Sequence, residues 1–119
     1  MIANHAPARH VLLALAAVVL VLSGVQDLAA GAKVQKAVTH TITIDGSRFE
    51  PSLLAVNAGD QIVWVNKDPF PHTATARAGA FDSKAIAAGA SWTYTVSTRG
   101  EFAYSCTYHP AMRGKLRVS

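Results

Sequence analysis

A period of two in the placement of apolar residues constrains the fold of this chain more than any other feature. From Thr39 to Asp45, one face carries a histidine and two isoleucines, and the other carries three threonines and an aspartate. Ser91 to Val96, Glu101 to Cys106 and Lys115 to Val118 repeat this alternation, while Gln61 to Asn66 is more continuously apolar. Successive strand residues point to opposite faces, so the pattern predicts half-buried strands, with Gln61 to Asn66 as a central one.

Glycine-containing turns separate these runs and set the fold class. Seven or eight short strands at close intervals predict an all-β antiparallel sandwich or barrel in one domain, without internal repeats. Ala85 to Ala90 is alanine-rich and could hold one helical turn. The turn sequences are Asp45-Gly46, Asn57-Ala58-Gly59-Asp60, Ala78-Gly79, Ala88-Gly89 and Arg99-Gly100.

The first residues have the layout of a secretory signal peptide. Val11 to Leu22 is an apolar run of twelve residues, Arg9 precedes it, and Ala30-Gly31-Ala32 forms an A-x-A cleavage pattern. The run is shorter than the roughly 18 residues of a membrane span. We therefore predict a signal peptide at residues 1–32, a domain at residues 33–119 and a periplasmic location; an uncleaved membrane anchor is the alternative.

Charge and cysteine content narrow the function further. The net charge of +4 is scattered and lacks interleaved aromatic residues, so nucleic-acid binding has little support. With Cys106 as the one cysteine, the chain has no intramolecular disulfide, although small exported domains often need such a covalent constraint. A bound metal would stabilise the fold and protect the thiol.

Three donors of different chemistry lie within one short segment. The stretch from Cys106 to Met112 contains a thiol, an imidazole from His109 and a thioether, at the spacing C-x2-H-x2-M. His72 lies 34 residues before Cys106, in a loop stiffened by two prolines. Two histidines, one cysteine and an axial methionine form the blue-copper electron-transfer set, whereas methionine is a poor zinc ligand.

Each of these residues also has an ordinary interpretation. Cys106 and Met112 are candidates for core packing, and His72 is a candidate for an ordinary loop histidine. Copper binding would be excluded only if all of these ordinary interpretations were true at once. We therefore predict a copper site formed by His72, Cys106, His109 and Met112. His40 has no partner at ligand spacing and is expected to be structural or at the surface.

The C-terminal segment resembles the copper loop of the cupredoxins. It reads GEFAYSCTYHPAMRGKLRV from Gly100 to Val118, and the stretch from Phe49 to His72 is similar to the earlier strands and first histidine of that family. Short C-x2-H-x2-M loops resemble amicyanin and pseudoazurin more than plastocyanin or azurin. The resemblance implies a cupredoxin-like Greek-key β-sandwich, one type 1 copper ion and single-electron transport in the periplasm.

Two residues depart from that family pattern. Many cupredoxins have asparagine directly after the first histidine, where it forms a hydrogen bond to the ligand loop. This chain has Thr73 there, so the sequence does not determine whether the corresponding bond to Thr107 forms. Amicyanin-like loops usually have proline where this chain has Tyr108. The N–H of Tyr108 is a candidate donor to the Cys106 sulfur, which would raise the reduction potential.

The expected function is therefore an electron carrier, and not an enzyme. The resemblance implies that His109 is the exit for the electron, and an apolar docking patch is expected around it. Arg113 and Lys115 are candidates either for steering an acidic partner or for ordinary solvated surface charge. The resemblance implies a c-type cytochrome and an amine dehydrogenase as redox partners, and a monomer is expected as the default for a shuttle. The expected patch consists of Phe70, Pro71, His109, Pro110 and Ala111.

Other functions remain open on the sequence alone. Oxidases and nitrite reductases need a second metal site with more histidines than the predicted domain has. A periplasmic copper carrier, chaperone or storage protein is the main alternative, because the same ligands would serve it. A metal-free interaction module is the third possibility, and copper binding with a gain in stability would exclude it.

Overall fold

The computed structural model describes residues 35–119, and within them all regular secondary structure is β. The predicted signal peptide lies outside the described residues, so its boundary stays a prediction. The expected count of seven to eight strands is confirmed. The strands are β1 (Thr39–Asp45), β2 (Arg48–Glu50), β3 (Leu53–Val56), β4 (Gln61–Asn66), β5 (Thr75–Ala76), β6 (Ser91–Thr95), β7 (Gly100–Ser105) and β8 (Arg113–Val118).

The strands form two four-stranded sheets that pack into a sandwich. The first sheet has the order β2-β1-β4-β6 and the second has the order β3-β8-β7-β5. Because neighbours in each sheet are mostly distant in sequence, the connections pass between the sheets, as in a Greek key. The expected all-β sandwich is confirmed.

Two of the strand pairings differ from the expected antiparallel arrangement. β1 lies parallel to β4, and β3 lies parallel to β8, while the other pairings are antiparallel. The chain leaves the first sheet after β2, runs through β3 in the second sheet and returns as β4 in the same direction as β1. Residue periodicity cannot reveal such a crossover, because a strand alternates in the same way with either kind of neighbour.

The predicted faces of the strands are confirmed. Ile42 and Ile44 of β1 are buried, as are Tyr104 of β7 and Cys106, which directly follows that strand. β4 is central, and Trp64 at its middle contacts aromatic rings from both sheets. The possible helical turn at Ala85 to Ala90 was wrong: Ile86 pairs with His72, and a tight turn at Ala88 and Gly89 follows, in which the Ala90 N–H donates to the Ala87 carbonyl at 2.9 Å.

The fold gathers the predicted ligands at one end of the sandwich. The loop after β4 leads to His72, and Cys106 directly follows β7. His40 lies near the start of β1, paired with Ile62 near the start of β4, and is therefore at the opposite end. No helix among residues 35–119 has the length and apolarity needed to cross a membrane.

Candidate metal centre

Asn66 fixes the loop that presents His72. Its side-chain amide donates to the carbonyl oxygens of Phe70 at 2.8 Å and Ile86 at 2.9 Å, and its side-chain oxygen accepts the N–H of Asp68 at 3.0 Å. His72 and Ile86 exchange both backbone hydrogen bonds, at 3.1 and 2.7 Å. A fully buried polar side chain is thus satisfied while it holds the loop in one conformation.

A carboxylate sets the orientation of the buried His72 ring. Its Nε2 lies 2.7 Å from Oδ2 of Asp68, which also accepts the N–H of Ser47 at 2.8 Å, while Oδ1 accepts the N–H of Gly46 at 2.7 Å. The Ser47 N–H, the Gly46 N–H and the His72 ring together hold the pKa of Asp68 below its ordinary value, against the opposing effect of burial. With Nε2 committed to Asp68, Nδ1 is the nitrogen left for a metal.

The Cys106 sulfur lies where that nitrogen points. His72 Nδ1 is 3.7 Å from Cys106 Sγ, and both residues are fully buried. Donors bound to one ion at about 2.0 Å for nitrogen and about 2.3 Å for sulfur, as at zinc, lie roughly 3.7 Å apart when the angle is near 120°. The separation of these two donors therefore fits a shared metal ion.

The segment from Cys106 to Met112 folds into a closed loop. Cys106 N–H donates to the Met112 carbonyl at 3.1 Å, and Met112 N–H donates to the His109 carbonyl at 2.8 Å. Met112 is buried and His109 is exposed. The ring centroids of His109 and His72 are 5.4 Å apart, so both imidazoles lie at the same end of the molecule.

These observations bring the four predicted ligands into one region without completing a metal site. His72 and Cys106 are in contact, His109 lies beside them, and Met112 is joined to Cys106 through the loop. In the described stretch, no group of three or more His, Cys, Asp or Glu side chains has a metal-binding arrangement. The assignment of His72, Cys106, His109 and Met112 as ligands is therefore a proposal, taken up below.

Thr73 links the two loops in place of the asparagine common in cupredoxins. Its hydroxyl oxygen accepts the N–H of Thr107 at 2.8 Å and lies 3.1 Å from the Thr107 hydroxyl. Thr75 extends the cluster, with its hydroxyl 3.0 Å from that of Thr73. The link left open by the sequence is present, built from hydroxyl groups.

The donor to the cysteine sulfur is also Thr73. Its backbone N–H lies 3.3 Å from Cys106 Sγ, in a buried position. Among residues 35–119, Tyr108 makes no such hydrogen bond, so the proposed role of its N–H was wrong. The loop turns Tyr108 outwards, and its side chain is 52% exposed.

An apolar surface surrounds His109. Phe70, 42% exposed, together with Pro71, Tyr108 and His109, lines a shallow concavity of about 360 Å³. Pro110 and Ala111, also in the predicted patch, are exposed next to it in the loop. Tyr108 was missing from that patch, although its position directly before His109 was a usable signal.

Sequence reasoning also missed Asn66 and Asp68. A signal for Asp68 was available, since it lies four residues before His72 in a loop whose two prolines limit its conformations. No such signal was available for Asn66, because the sequence alone indicates only a polar residue at the end of an apolar strand. Its partners Phe70, Ile86 and Asp68 become neighbours only in the folded loop.

The fold and this cluster of donors define a cupredoxin. The family model described as a cupredoxin-like domain matches residues 12–118, and the chain belongs to that family. Amicyanin-alpha of Methylorubrum extorquens is 31% identical over 115 residues, which cover 89% of this chain and 97% of the relative.

Further relatives include both amicyanins and plastocyanins. Amicyanin of Paracoccus denitrificans is 30% identical over 82 residues, 65% of this chain and 63% of the relative, so the match spans less than two thirds of that protein. The chloroplastic plastocyanin of Tetradesmus obliquus is 34% identical over 83 residues, 59% of this chain and 57% of the relative. A solved Cu(I) form of a methionine-to-alanine variant of amicyanin has a TM-score of 0.64 and 27% identity, over 68% of this chain and 82% of that one.

Proposed function

We propose that this protein is a blue-copper electron carrier whose ligands are His72, Cys106, His109 and Met112. Copper bound there supplies a one-electron Cu(I)/Cu(II) couple. The observation that carries the proposal is the buried contact between His72 Nδ1 and Cys106 Sγ at 3.7 Å. Two imidazoles, a thiolate and a thioether are the donors that such sites use.

The surrounding residues support this chemistry by restraining the donors. Asp68 holds the His72 ring, and the Thr73 N–H donates to the sulfur. Thr73 also joins the His72 loop to the ligand loop at Thr107. A restrained donor set changes little when the charge of the metal changes, which favours rapid electron transfer.

The exposure of the donors supports transport of electrons more than delivery of copper. His72, Cys106 and Met112 are buried, and His109 alone among the four is exposed. A metal acceptor would have to reach three buried donors, whereas an electron acceptor needs contact only at His109. The alternative copper carrier, chaperone or storage protein is therefore less favoured, and we propose an electron carrier and not an enzyme.

The partners and location follow as further parts of this proposal. The apolar surface of Phe70, Pro71, Tyr108 and His109 is small, which suits a short-lived complex with a redox protein. A c-type cytochrome and a dehydrogenase are the partner classes expected of an amicyanin-like protein. The signal-like segment at residues 1–32 supports a periplasmic location, and a monomer is the default state for an electron shuttle.

The visible spectrum tests the copper proposal directly. Addition of one equivalent of Cu(II) is expected to produce an intense band at the red end of the visible spectrum, from thiolate-to-copper charge transfer. Reduction removes the band, and Cys106→Ala never develops it. His40→Ala is the matched control, because His40 lies at the opposite end of the fold and should leave the band intact.

Two results would contradict this assignment. A pale spectrum in the wild-type protein would mean that Cys106 is not a copper ligand. Rapid transfer of Cu(I) from the loaded protein to a chelator, together with slow electron exchange, would instead support copper delivery.

A further inference from the structure

Three threonine hydroxyls form a closed cluster beside the ligand loop. We call Thr73, Thr75 and Thr107 the hydroxyl cluster. Their oxygens lie 3.0 Å apart between Thr73 and Thr75, 3.1 Å between Thr73 and Thr107, and 3.2 Å between Thr75 and Thr107. Thr73 directly follows His72, and Thr107 directly follows Cys106. Thr75 adjoins neither proposed ligand and belongs to β5, which pairs with the end of β7.

One carboxylate connects the hydroxyl cluster to a turn outside the two ligand-bearing loops. Thr75 Oγ1 lies 3.2 Å from Asp82 Oδ1, which also accepts the N–H of Lys84 at 2.9 Å. That N–H is the main reason why the pKa of Asp82 is below its ordinary value. An ionised carboxylate can only accept hydrogen bonds, so in its contact with Thr75 the hydroxyl is the donor.

The turn that presents Asp82 has a strained backbone held by several contacts. Lys84 has a φ of 55°, in the left-handed region, which is costly for a residue with a side chain. Ser83 offsets this cost, because its N–H donates to the Ala74 carbonyl at 3.1 Å and its hydroxyl oxygen accepts the Ala74 N–H at 2.7 Å. The Lys84 ammonium also lies 3.1 Å from Asp82 Oδ2. These contacts keep the carboxylate next to Thr75, although the Asp82 side chain is 39% exposed.

The carboxylate sets the direction of the hydrogen bonds within the cluster. Thr75 has one hydroxyl proton and three acceptors within reach, of which the charged oxygen of Asp82 is the strongest. With that proton directed to Asp82, the two lone pairs of the Thr75 oxygen accept the hydroxyl protons of Thr73 and Thr107. The Thr73 oxygen in turn accepts the Thr107 N–H at 2.8 Å. Every donor of the cluster then has an acceptor.

Thr73 connects this cluster to the Cys106 sulfur. Its N–H donates to Cys106 Sγ at 3.3 Å, while its hydroxyl oxygen holds the N–H of Thr107, the next residue along the ligand loop. Because Thr73 is buried, a shift of its side chain would disturb both bonds. Among residues 35–119, neither Asp82 nor Thr75 forms a hydrogen bond with a proposed ligand, so both act only through the residues that they hold.

We propose that Asp82, acting through Thr75, is a positioning residue that holds the ligand loop against the His72 loop. The proposal deepens the proposed copper function and rests on it for its biological purpose. A threonine hydroxyl has one proton to donate, where the asparagine common in cupredoxins has two on its amide. Thr75 and Asp82 therefore supply the partners that Thr73 lacks. These bonds join residues of this chain alone, so they can be measured without copper.

The experiment is amide hydrogen exchange, measured by NMR on the 15N-labelled protein with and without one equivalent of Cu(I). Thr75→Val removes the hydroxyl and keeps the shape, so the Thr107 amide should exchange about three- to tenfold faster, the factor that corresponds to one hydrogen bond. Thr75→Ser keeps the hydroxyl and should restore the wild-type rate. Thr93→Val is the matched control, because Thr93 is an exposed threonine of the edge strand β6. The Trp64 amide in the central strand is the reference for global unfolding.

A double-variant cycle and the reduction potential test the connection from Asp82 to the sulfur. Asp82→Ala should accelerate exchange at Thr107 as Thr75→Val does, and the combination should add little, because both remove the same connection. In the copper-loaded protein, Thr75→Val should lower the reduction potential. The reason is that a weaker bond from the Thr73 N–H leaves more electron density on the sulfur and so stabilises Cu(II). Thr75→Ser should retain the wild-type potential.

Several outcomes would overturn the proposal. They are unchanged exchange at Thr107 or an unchanged potential in Thr75→Val, equal acceleration at Thr107 and Trp64, additive effects of the Thr75 and Asp82 variants, or protection of Thr107 only when Cu(I) is present. A copper complex without the blue spectrum would overturn the proposed function, while exchange in the metal-free protein would still test the role of Asp82. A blue protein with unchanged exchange at Thr107 would overturn only that role.

Discussion

At the scale of single residues, Asp68 connects the candidate metal centre to the frame of the sandwich. One carboxylate accepts hydrogen bonds from the β1–β2 turn at Gly46 and Ser47, and from the ring of His72. Both turn residues have positive φ, 59° and 55°, which aims their N–H groups at the same acceptor. The orientation of a proposed ligand thus depends on a turn that is distant from it in sequence.

Replacement of Asp68 by asparagine tests this connection. The amide offers one acceptor where the carboxylate offered two, and it removes a negative charge beside His72. Loss of such a partner typically lowers metal affinity by roughly 10- to 100-fold. The loss of a negative charge near the metal should also destabilise Cu(II) relative to Cu(I) and therefore raise the reduction potential.

The measurements are copper affinity by competition with a chelator and the reduction potential by voltammetry. Asp45→Asn is the control, because it removes an equal charge from an exposed position at the end of β1. Equal changes in the two variants would show that Asp68 acts only through net charge.

At the scale of elements, the pairing of β7 with β8 depends on a glycine. Gly114 lies opposite Tyr104, and a Cβ at position 114 would overlap the Tyr104 ring. Tyr104 is buried among aromatic rings, including Phe49 at 4.7 Å between centroids. Its ring cannot move aside without disturbing the core, because protein interiors are close-packed.

Gly114→Ala is therefore expected to lower the free energy of unfolding by about 1–3 kcal/mol, the usual cost of overpacking. Urea unfolding measures the loss. A double variant with Tyr104→Leu frees the space, so its total cost should be smaller than the sum of the two single costs. Additive costs would mean that the glycine acts through backbone conformation and not through the tyrosine.

At the scale of the whole molecule, Asp60 ties together the end of the sandwich opposite the candidate metal centre. Its carboxylate accepts the N–H groups of Asn57 at 2.9 Å and Val38 at 3.0 Å and lies 2.9 Å from His40 Nε2. These bonds, that of Asn57 foremost, lower the pKa of Asp60 from 3.8 to about 2. His40 therefore has the structural role expected from the sequence.

This lowered pKa predicts how stability depends on pH. The unfolded chain takes up a proton at Asp60 near pH 3.8, while the folded protein resists it until about pH 2. The stabilisation is therefore complete above about pH 5 and is lost as the pH falls towards 2. Thermal unfolding of wild type and Asp60→Asn should show a gap that narrows over this range. A gap that stays constant down to pH 2 would contradict the assigned pKa.

Local patterns in the sequence determined much of this protein. Alternation with period two depends only on backbone geometry, so it identified the main strands and their buried faces, including Tyr104 and Cys106. The cluster from Cys106 to Met112 was also visible, because three unlike donors within seven residues need no long-range information. The proline-containing segment before His72 could be recognised for the same reason.

Tertiary structure alone decided the features that depend on strand register and on crossovers between sheets. The parallel pairing of β1 with β4, the contact of Asp68 with the turn at Gly46 and Ser47, and the Thr73–Thr107 link each join segments that only the fold brings together. A sequence records which side of a strand a residue occupies, whereas its neighbour across the sheet is determined by packing of the whole chain.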